Sequence, residues 1–461
     1  MKLAEITATL REIGVSPVKT LGQNFLHDRN LARFIVEQAR VGCGDYVVEI
    51  GPGLGALTEF ALAAGAEVLA IEKDARLANF LREKFKDQQL QVLHADALEF
   101  DVRTLYTKRR VKLLGNLPYY IASPLLQRFA KYPSPISLWL LMLQKEVAKR
   151  LSATPSSKDY GALTLHLQLR FRVEYLRAVP AAVFLPQPDV DSALVRITPR
   201  DAHELPPCDY TLFEKLVRCG FSQRRKQLGK LIRDEISDWE GSAKELGLSV
   251  QARAEELSLG EWIALVNKIS PMPVQAETTR EELFQVVDER DHAVRAAPRS
   301  EVHGNNLLHR AVHILIFNET GEVYLQLRSR RKDRHPLRWD SSAAGHVQAG
   351  EEYDDAAQRE VHEELGIDVR PERIVKLAGS ERTDNEFIWV YRATHNGPMK
   401  PSADEIEAGD FFPVRVVDGW IAVRLEEFAT AFIECWRKVK DSLSVSSRAE
   451  STSGRDSSPS A

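Results

Sequence analysis

Cysteine is scarce: Cys43, Cys208, Cys219 and Cys435 are the only four in 461 residues, and no two form a C-x-x-C pair. Neither a disulfide framework nor a cysteine-based zinc site is predicted, and a reducing, cytoplasmic compartment fits. Long hydrophobic runs are also missing. The densest apolar stretch, Leu138-Trp-Leu-Leu-Met-Leu143, falls far short of the ~18–20 residues that a membrane helix needs. Glu5 and Glu12 interrupt an N-terminal pattern that reads as an amphipathic helix and not as a secretory signal. There is no internal repeat of about 20–50 residues. A large net charge is lacking too, since the formal value is −4, which taken alone argues weakly against a polyanionic partner.

What is present is an ordinary globular balance of 44% hydrophobic and 28% charged residues, which excludes a wholly disordered, collagen-like or coiled-coil chain. At ~100–200 residues per domain, the length predicts two to four domains. The small net charge conceals a split. Residues 1–275 carry 37 lysines and arginines against 32 acids, whereas residues 276–461 carry 25 against 34, so the halves are expected to meet different partners.

Residues 45–120 alternate apolar runs with helical patterns: Tyr46–Ile50, Val68–Ile71, Gln91–Leu93 and Val111–Leu114. That order predicts parallel strands with crossover helices, a doubly wound α/β sheet, within residues 1–199. Residues 200–275 show helical patterns such as Leu212–Val217 and Glu261–Ile269 without a clear strand, as in a small helical appendix. Pro271-Met-Pro273 and the polar stretch after it mark a boundary. Beyond it, a second α/β unit over 276–440 is predicted from strands at His309–Phe317 and Val323–Leu327, a turn at Asn318–Gly321 and a helix over Tyr353–Leu365. Residues 441–461 hold nine serines and no aromatic residue, too little apolar surface to offset the entropy of ordering, and are predicted to be a disordered tail.

In the first half, Glu49-Ile-Gly51-Pro-Gly53-Leu-Gly55 follows a predicted strand and opens a helix. Its third glycine comes one residue early for the dinucleotide pattern, so a pyrophosphate is less expected. Glu72 ends the next strand, where a carboxylate can accept both hydroxyls of a ribose. Asp96, after the third strand, can accept from an adenine amine. Each alone is also compatible with a turn glycine or a solvated strand-end acid; their order makes the case. Asn116-Leu-Pro-Tyr119 ends the fourth strand. An adenine amine is a poor nucleophile because its lone pair is delocalised into the ring. A site that methylates it needs acceptors for the amine hydrogens and a platform for the base. The Asn116 amide oxygen and the Leu117 carbonyl, fixed by Pro118, can supply the acceptors, and Tyr119 can stack.

Residues 1–272 resemble the 16S rRNA adenine dimethyltransferase family, S-adenosylmethionine enzymes that place two methyls on each of two adjacent adenines of the small ribosomal subunit. The likeness runs through Leu21–Leu26, Val48–Gly55, Gly115–Tyr119, Met142–Val147, Val183–Ala193 and Phe221–Lys226. It implies a Rossmann-like methyltransferase fold in which Asn24, Leu26, Gly51, Glu72, Asp96 and Asn116 hold the cofactor. It also implies that Phe184 stacks on the target adenine opposite Tyr119, and that small-subunit rRNA or the pre-30S particle is the partner. Two basic groups, Lys145, Lys149 and Arg150, and Arg224, Arg225 and Lys226 with Lys230 and Arg233, would then meet phosphates without reading sequence; a solvated helix face is the alternative.

In the second half, Gly345 through Ile367 satisfies G-x5-E-x7-R-E-U-x-E-E-x-G-U, U being aliphatic, at every fixed position. Glu360, Glu363 and Glu364 stand at i, i+3 and i+4, so one helix face presents three carboxylates. Such a face suits Mg²⁺ or Mn²⁺, which bridge diphosphate oxygens and activate water. Residues 281–430 resemble the Nudix hydrolases, with an α/β/α fold and a nucleoside diphosphate-type substrate. By that resemblance Arg359 and Glu351 orient the motif, the three glutamates hold metal, and Glu363 is the one whose loss is expected to end turnover. A further acid is expected from outside the motif: Glu386, with Glu381, Glu405 and Glu407 as competitors. Val286–Asp291 and Arg299–His303 look closer to the isopentenyl-diphosphate isomerase branch, which uses a cysteine just before the Gly-His of the motif. Ala344 stands there, which disfavours isomerisation and leaves hydrolysis open. His303, His309 and His346 would form an imidazole metal site as in that branch; a structural role is the alternative for each.

The expectation is thus a bifunctional, cytoplasmic, monomeric enzyme with no membrane partner. Its rival is an RNA-binding assembly factor that carries a non-catalytic, ligand-sensing second module.

Overall fold

The computed structural model describes residues 2–17, 22–131, 133–271 and 282–440, except for the side chains of Tyr119, Tyr120 and Ala202. Leu21, the Met272-Pro273 part of the expected boundary and the serine-rich tail 441–461 lie outside the described residues. The chain divides into two compact units, Met1–Met272 and Pro273–Ala461.

The strands of the first unit are β1 (Phe25–Leu26), β2 (Tyr46–Ile50), β3 (Glu67–Glu72), β4 (Leu90–His94), β5 (Val111–Asn116), β6 (Ile136–Gln144), β7 (Phe171–Val179), β8 (Phe184–Leu185) and β9 (Ser192–Pro199). Seven of them make one sheet in the order β4-β3-β2-β5-β6-β9-β7. β4 through β6 run parallel, whereas β9 is antiparallel to both β6 and β7. Every residue of β2 is buried, as expected for a parallel strand covered on both faces. The same physics explains Leu138–Leu143: it is the middle of β6, and it lacks alternation because both of its faces are covered.

Connections leave β2 toward β3 on one side and toward β5 on the other, so a crevice opens at the carboxyl ends of β2 and β5. The loop after β2 bends there through Gly51, Gly53 and Gly55, all at positive φ. Gly53 is held to glycine twice over, since a Cβ there would also lie 3.1 Å from the Phe25 ring. The helices Tyr210–Gly220 and Leu259–Ile269 pack through Phe213, Leu216, Trp262 and Leu265 into a separate small core.

The second unit contains β10 (Leu283–Val287), β11 (Ala293–Pro298), β12 (His309–Phe317), β13 (Glu322–Arg328), β14 (Trp339–Asp340), β15 (Ala343–His346), β16 (Glu372–Leu377), β17 (Glu386–Thr394) and β18 (Ile406–Pro413). β12 is its hub, parallel to β17 and antiparallel to β15. The expected β12–β13 hairpin closes at Asn318–Gly321 but pairs only at Phe317↔Val323. β13 then follows β18 over seven register pairs, a long-range pairing that no local turn signal encodes. The helix Tyr353–Leu365 packs Ala356, Ala357, Val361 and Leu365 into the core beside β12. It ends at Gly366 in the left-handed region, the usual helix stop.

Candidate active sites

The crevice of the first unit is lined by the loop after β2 and by the ends of β3, β4 and β5, the place where open α/β sheets bind their ligands. Asn24, Leu26, Gly51, Glu72, Asp96, Asn116 and Pro118 all line it. β1 and β8 bring Leu26 opposite Phe184, although 158 positions separate them in the chain.

Glu72 is buried, and its carboxylate accepts from the backbone N–H of Gly53 at 3.2 Å and of Asp74 at 2.9 Å. Burial pushes its pKa up, against those amides. It therefore clamps the glycine loop onto β3 and also faces the crevice. Asp96 pairs with Lys73 at 2.7 Å and accepts from the N–H of Leu98 at 2.9 Å; the Lys73 bond leads in holding its pKa down. The Asn116 amide donates from Nδ2 to the carbonyl of Asn24 at 2.9 Å, which fixes the side chain and leaves Oδ1 as its acceptor. The N–H of Leu117 is anchored to the Met142 carbonyl at 3.0 Å. Tyr119 begins the helix Tyr119–Phe129, but its side chain lies outside the described residues. Phe184 is 3% exposed and packs with Leu26 and Leu31 in the core; Leu26 lines the crevice and Phe184 itself is not among the lining residues.

The basic residues fall in two places. Lys145 starts the helix that follows β6, three positions after Met142, the register partner of Asn116. Its ammonium lies 3.5 Å from Asp191, while Lys149 and Arg150 are exposed. In the appendix Arg225 and Lys226 are exposed. Arg224 is engaged structurally, with Glu255 at 3.0 Å and the carbonyls of Lys158 and Tyr160 at 2.7 and 3.2 Å.

Sequence reasoning gave no role to Glu49, which is fully buried beneath the crevice and accepts from the Thr58 hydroxyl at 2.6 Å. Burial, reinforced by Glu72, pushes its pKa up to about 7.

The cavity of the second unit is lined by Glu360, Glu363, Glu364 and Glu386 with His303 and His346. Arg359 organises the helix face. It grips Glu351 at 2.9 and 3.0 Å, Glu360 at 2.6 Å, Glu363 at 3.0 Å and the His346 carbonyl at 3.0 Å. Glu360 lies against Gly345 so closely that a Cβ at 345 would be 2.0 Å from its carboxyl carbon. Glu364 accepts from Gln326 at 3.0 Å and from the N–H of Ala344 at 3.2 Å. Burial, then the neighbouring Glu360, pushes its pKa up to about 8; burial also raises that of Glu360. Glu363 is the exposed member of the three, with 57% of its side chain accessible. Two buried carboxylates on one face are a poor arrangement without a compensating cation, and their hard oxygens fit Mg²⁺ or Mn²⁺.

Beside this face His303, His309 and His346 place one ring nitrogen each within 4.8 Å of the others. His309 Nδ1 bonds the Leu307 carbonyl at 2.8 Å, and its buried Nε2 has no hydrogen-bond partner. His303 Nδ1 is 3.2 Å from Asp333, an outer carboxylate of the kind that orients metal-binding imidazoles. Glu386 lies 3.2 Å from His346 Nε2 and 3.6 Å from His309 Nε2. Burial alone would raise its pKa, but these two imidazoles hold it well below the usual carboxylate range. Burial lowers the His346 pKa to about 3, which keeps the ring neutral, as coordination requires. Of the competing acids, Glu405 lines the cavity in an ion pair with Lys332, Glu407 is bound to Arg330, and Glu381 does not line it.

Sequence reasoning missed Lys332 and His313, which also line this cavity. A signal for His313 was available: His309, Ala311 and His313 alternate along β12 and so share one face.

With this geometry in view, comparison with known proteins is direct. Residues 17–270 match the model of the ribosomal RNA adenine dimethylase family, and residues 307–432 match that of the NUDIX domain. The chain is 44% identical over 254 residues to the ribosomal RNA small subunit methyltransferase A of Prosthecochloris aestuarii, covering 55% of this chain and 94% of that one. It is 39% identical over 255 residues to the protein of that name from Francisella tularensis, covering 55% and 97%. A dimethyladenosine transferase structure from Plasmodium falciparum aligns with 23% identity and a TM-score of 0.46, covering 53% of this chain and 97% of that one. The chain therefore belongs to the ribosomal RNA adenine dimethylase family and carries a NUDIX domain after the family's own span.

Proposed function

We propose that the first unit dimethylates N6 of two adjacent adenines in small-subunit rRNA during ribosome assembly, and that the second hydrolyses a nucleoside diphosphate-type substrate with Mg²⁺ or Mn²⁺. The observation that carries the first reading is the Asn116 side chain, tethered through Nδ2 to the Asn24 carbonyl with Oδ1 left as its acceptor, in the lining of the same crevice as the glycine loop, Glu72 and Asp96. S-adenosylmethionine supplies the electrophilic methyl. Asn116 Oδ1 and the Leu117 carbonyl accept the hydrogens of the adenine amine. This draws electron density toward nitrogen and stabilises the positive charge that develops as the N–C bond forms and the sulfonium S–C bond breaks, leaving the thioether; one amine proton is then released to solvent. Asn24, Leu26, Gly51, Glu72 and Asp96 hold the cofactor. Lys145, Lys149, Arg150, Arg225 and Lys226 meet RNA phosphates; Arg224 contributes by bracing the appendix.

For the second unit, Glu360, Glu363 and Glu364 are the face that would hold a divalent ion, which would supply polarisation of the diphosphate and activation of water. His303, His309, His346 and Glu386 form a neighbouring imidazole-rich centre. The buried His309 Nε2, without a hydrogen-bond partner among the described residues, and the neutral His346 ring support a metal there.

Incubating the protein with unmodified small-subunit rRNA particles and labelled S-adenosylmethionine tests the first reading; no methyl transfer to adenine would overturn it. For the second, turnover of a panel of nucleoside diphosphate compounds with Mg²⁺ is expected to disappear in Glu363→Gln. Unchanged turnover in that variant would place the catalytic face elsewhere.

A further inference from the structure

The isomerase branch that the second unit resembles places a cysteine where this chain has Ala344, and the structure shows what stands beside that position. Ala344 pairs across the ladder with His313 of β12. Directly opposed residues of antiparallel strands project their side chains from the same face, with Cβ atoms about 4.5–5.5 Å apart, and both residues line the cavity. The alanine methyl is the smallest side chain that leaves this space open to the imidazole. His313 is 4% exposed and firmly held. Its Nδ1 lies 2.8 Å from Ser341 Oγ. Asp340 fixes Ser341 in turn, accepting from its backbone N–H at 2.8 Å, and is itself anchored by Arg328 at 2.9 Å. Its contacts with Ser341 and Asp340 are both at the Nδ1 edge. The Nε2 edge has no protein hydrogen bond among the described residues, and the ring borders the cavity.

We propose that His313 is a specificity residue of this cavity, one that hydrogen-bonds the group carried on the diphosphate and so favours a polar, nucleoside-type substituent over a hydrocarbon one. The assignment rests on the diphosphate reading above and narrows it. A buried ring nitrogen that faces hydrocarbon loses its exchange with water and gains nothing, a discrimination on the order of ten- to hundred-fold. The rest of the lining agrees, with Arg334, His335, Asp340, Asp384 and Ser402 offering donors and acceptors around the same space.

The test is equilibrium binding to the full chain of UDP, isopentenyl diphosphate and inorganic pyrophosphate. Ca²⁺ would be used as a hard cation for the same oxygen ligands while turnover is held back. The wild type is expected to bind UDP more tightly than isopentenyl diphosphate. His313→Phe should shrink that ratio about tenfold or more, and His313→Gln, which restores a polar group at similar reach, should keep it within about threefold. Pyrophosphate affinity should stay level in both variants. An unchanged ratio in His313→Phe, or a wild type that prefers isopentenyl diphosphate, overturns the assignment. A wild type that fails to bind pyrophosphate overturns the diphosphate reading itself, and the assignment with it. Should the phenylalanine variant not fold, the imidazole ¹⁵N signal of His313, identified by its loss in His313→Gln, decides. It should move on adding UDP but not pyrophosphate, and no movement with UDP overturns the proposal.

Discussion

The two cavities solve the problem of buried charge in opposite ways. In the first unit, the strand-end acids are satisfied locally. Glu72 is capped by two backbone amides within the next loop and the glycine turn, and Asp96 pairs with Lys73. In the second, Glu360 and Glu364 are buried side by side on one helix face, the first held by Arg359 and the second by Gln326 and the Ala344 N–H, and burial with the neighbouring Glu360 pushes the Glu364 pKa up to about 8. A cavity of the first kind binds a neutral or cationic small molecule without help. On the proposed reading, a cavity of the second kind would have its adjacent carboxylates offset by a divalent cation.

Chelation should separate the two most sharply. Removing divalent ions with EDTA is expected to abolish diphosphate turnover and leave methyl transfer by the same chain unchanged; equal loss of both activities would erase the contrast. Asn116→Ala should lower methyl transfer by about a hundred- to thousand-fold with RNA binding within a few-fold, read by filter binding beside the transfer assay. Equal loss of binding would contradict a role in the chemistry.

Gly345→Ala probes how tightly the acid face of the second unit is packed. The new methyl would collide with the Glu360 carboxylate. Turnover should fall at least about tenfold and stability by about 1–3 kcal/mol, measured by urea melts, with methyl transfer preserved.

The smallest effect sharpens the first unit. The Glu49 carboxyl, raised by burial to about 7 from an ordinary 4.5, keeps its proton between those values in the folded state and loses it in the unfolded one. Its contribution to stability is therefore full below about pH 4.5 and is lost as pH rises through about 7. Glu49→Gln keeps an acceptor for Thr58 and removes that dependence. It should be more stable than wild type by on the order of 1–3 kcal/mol at pH 8, with the gap closing by pH 4, as followed by thermal melts across pH.

Much of this was legible because the signals are local. Periodicity placed β2 and β12 and the helix Tyr353–Leu365 to the residue, since each has a strong pattern between glycines or polar turns. β6 was visible only as an apolar stretch and β9 not at all. A strand covered on both faces has no alternation, and the partner of an antiparallel edge is chosen by the sheet as a whole. The glutamates of the second unit were legible as a helix face, but their unequal exposure was not. Gly345 and Gln326, on other strands, decide which of them is buried.

By itself, the amino-acid sequence determined strands β2 to β5, the glycine turn, the Asn116–Tyr119 corner and the acidic helix, because each depends on residues within a few positions of one another. Tertiary structure alone decided the rest. It set Leu26 against Phe184, tied Arg224 to Glu255 and the Lys158 carbonyl, gathered three histidines from three segments, and placed His313 beside Ala344. The physical reason is the same in each case. Contacts across a sheet are set by register and burial, which depend on the whole fold, whereas turns and helix faces are set by the local chain.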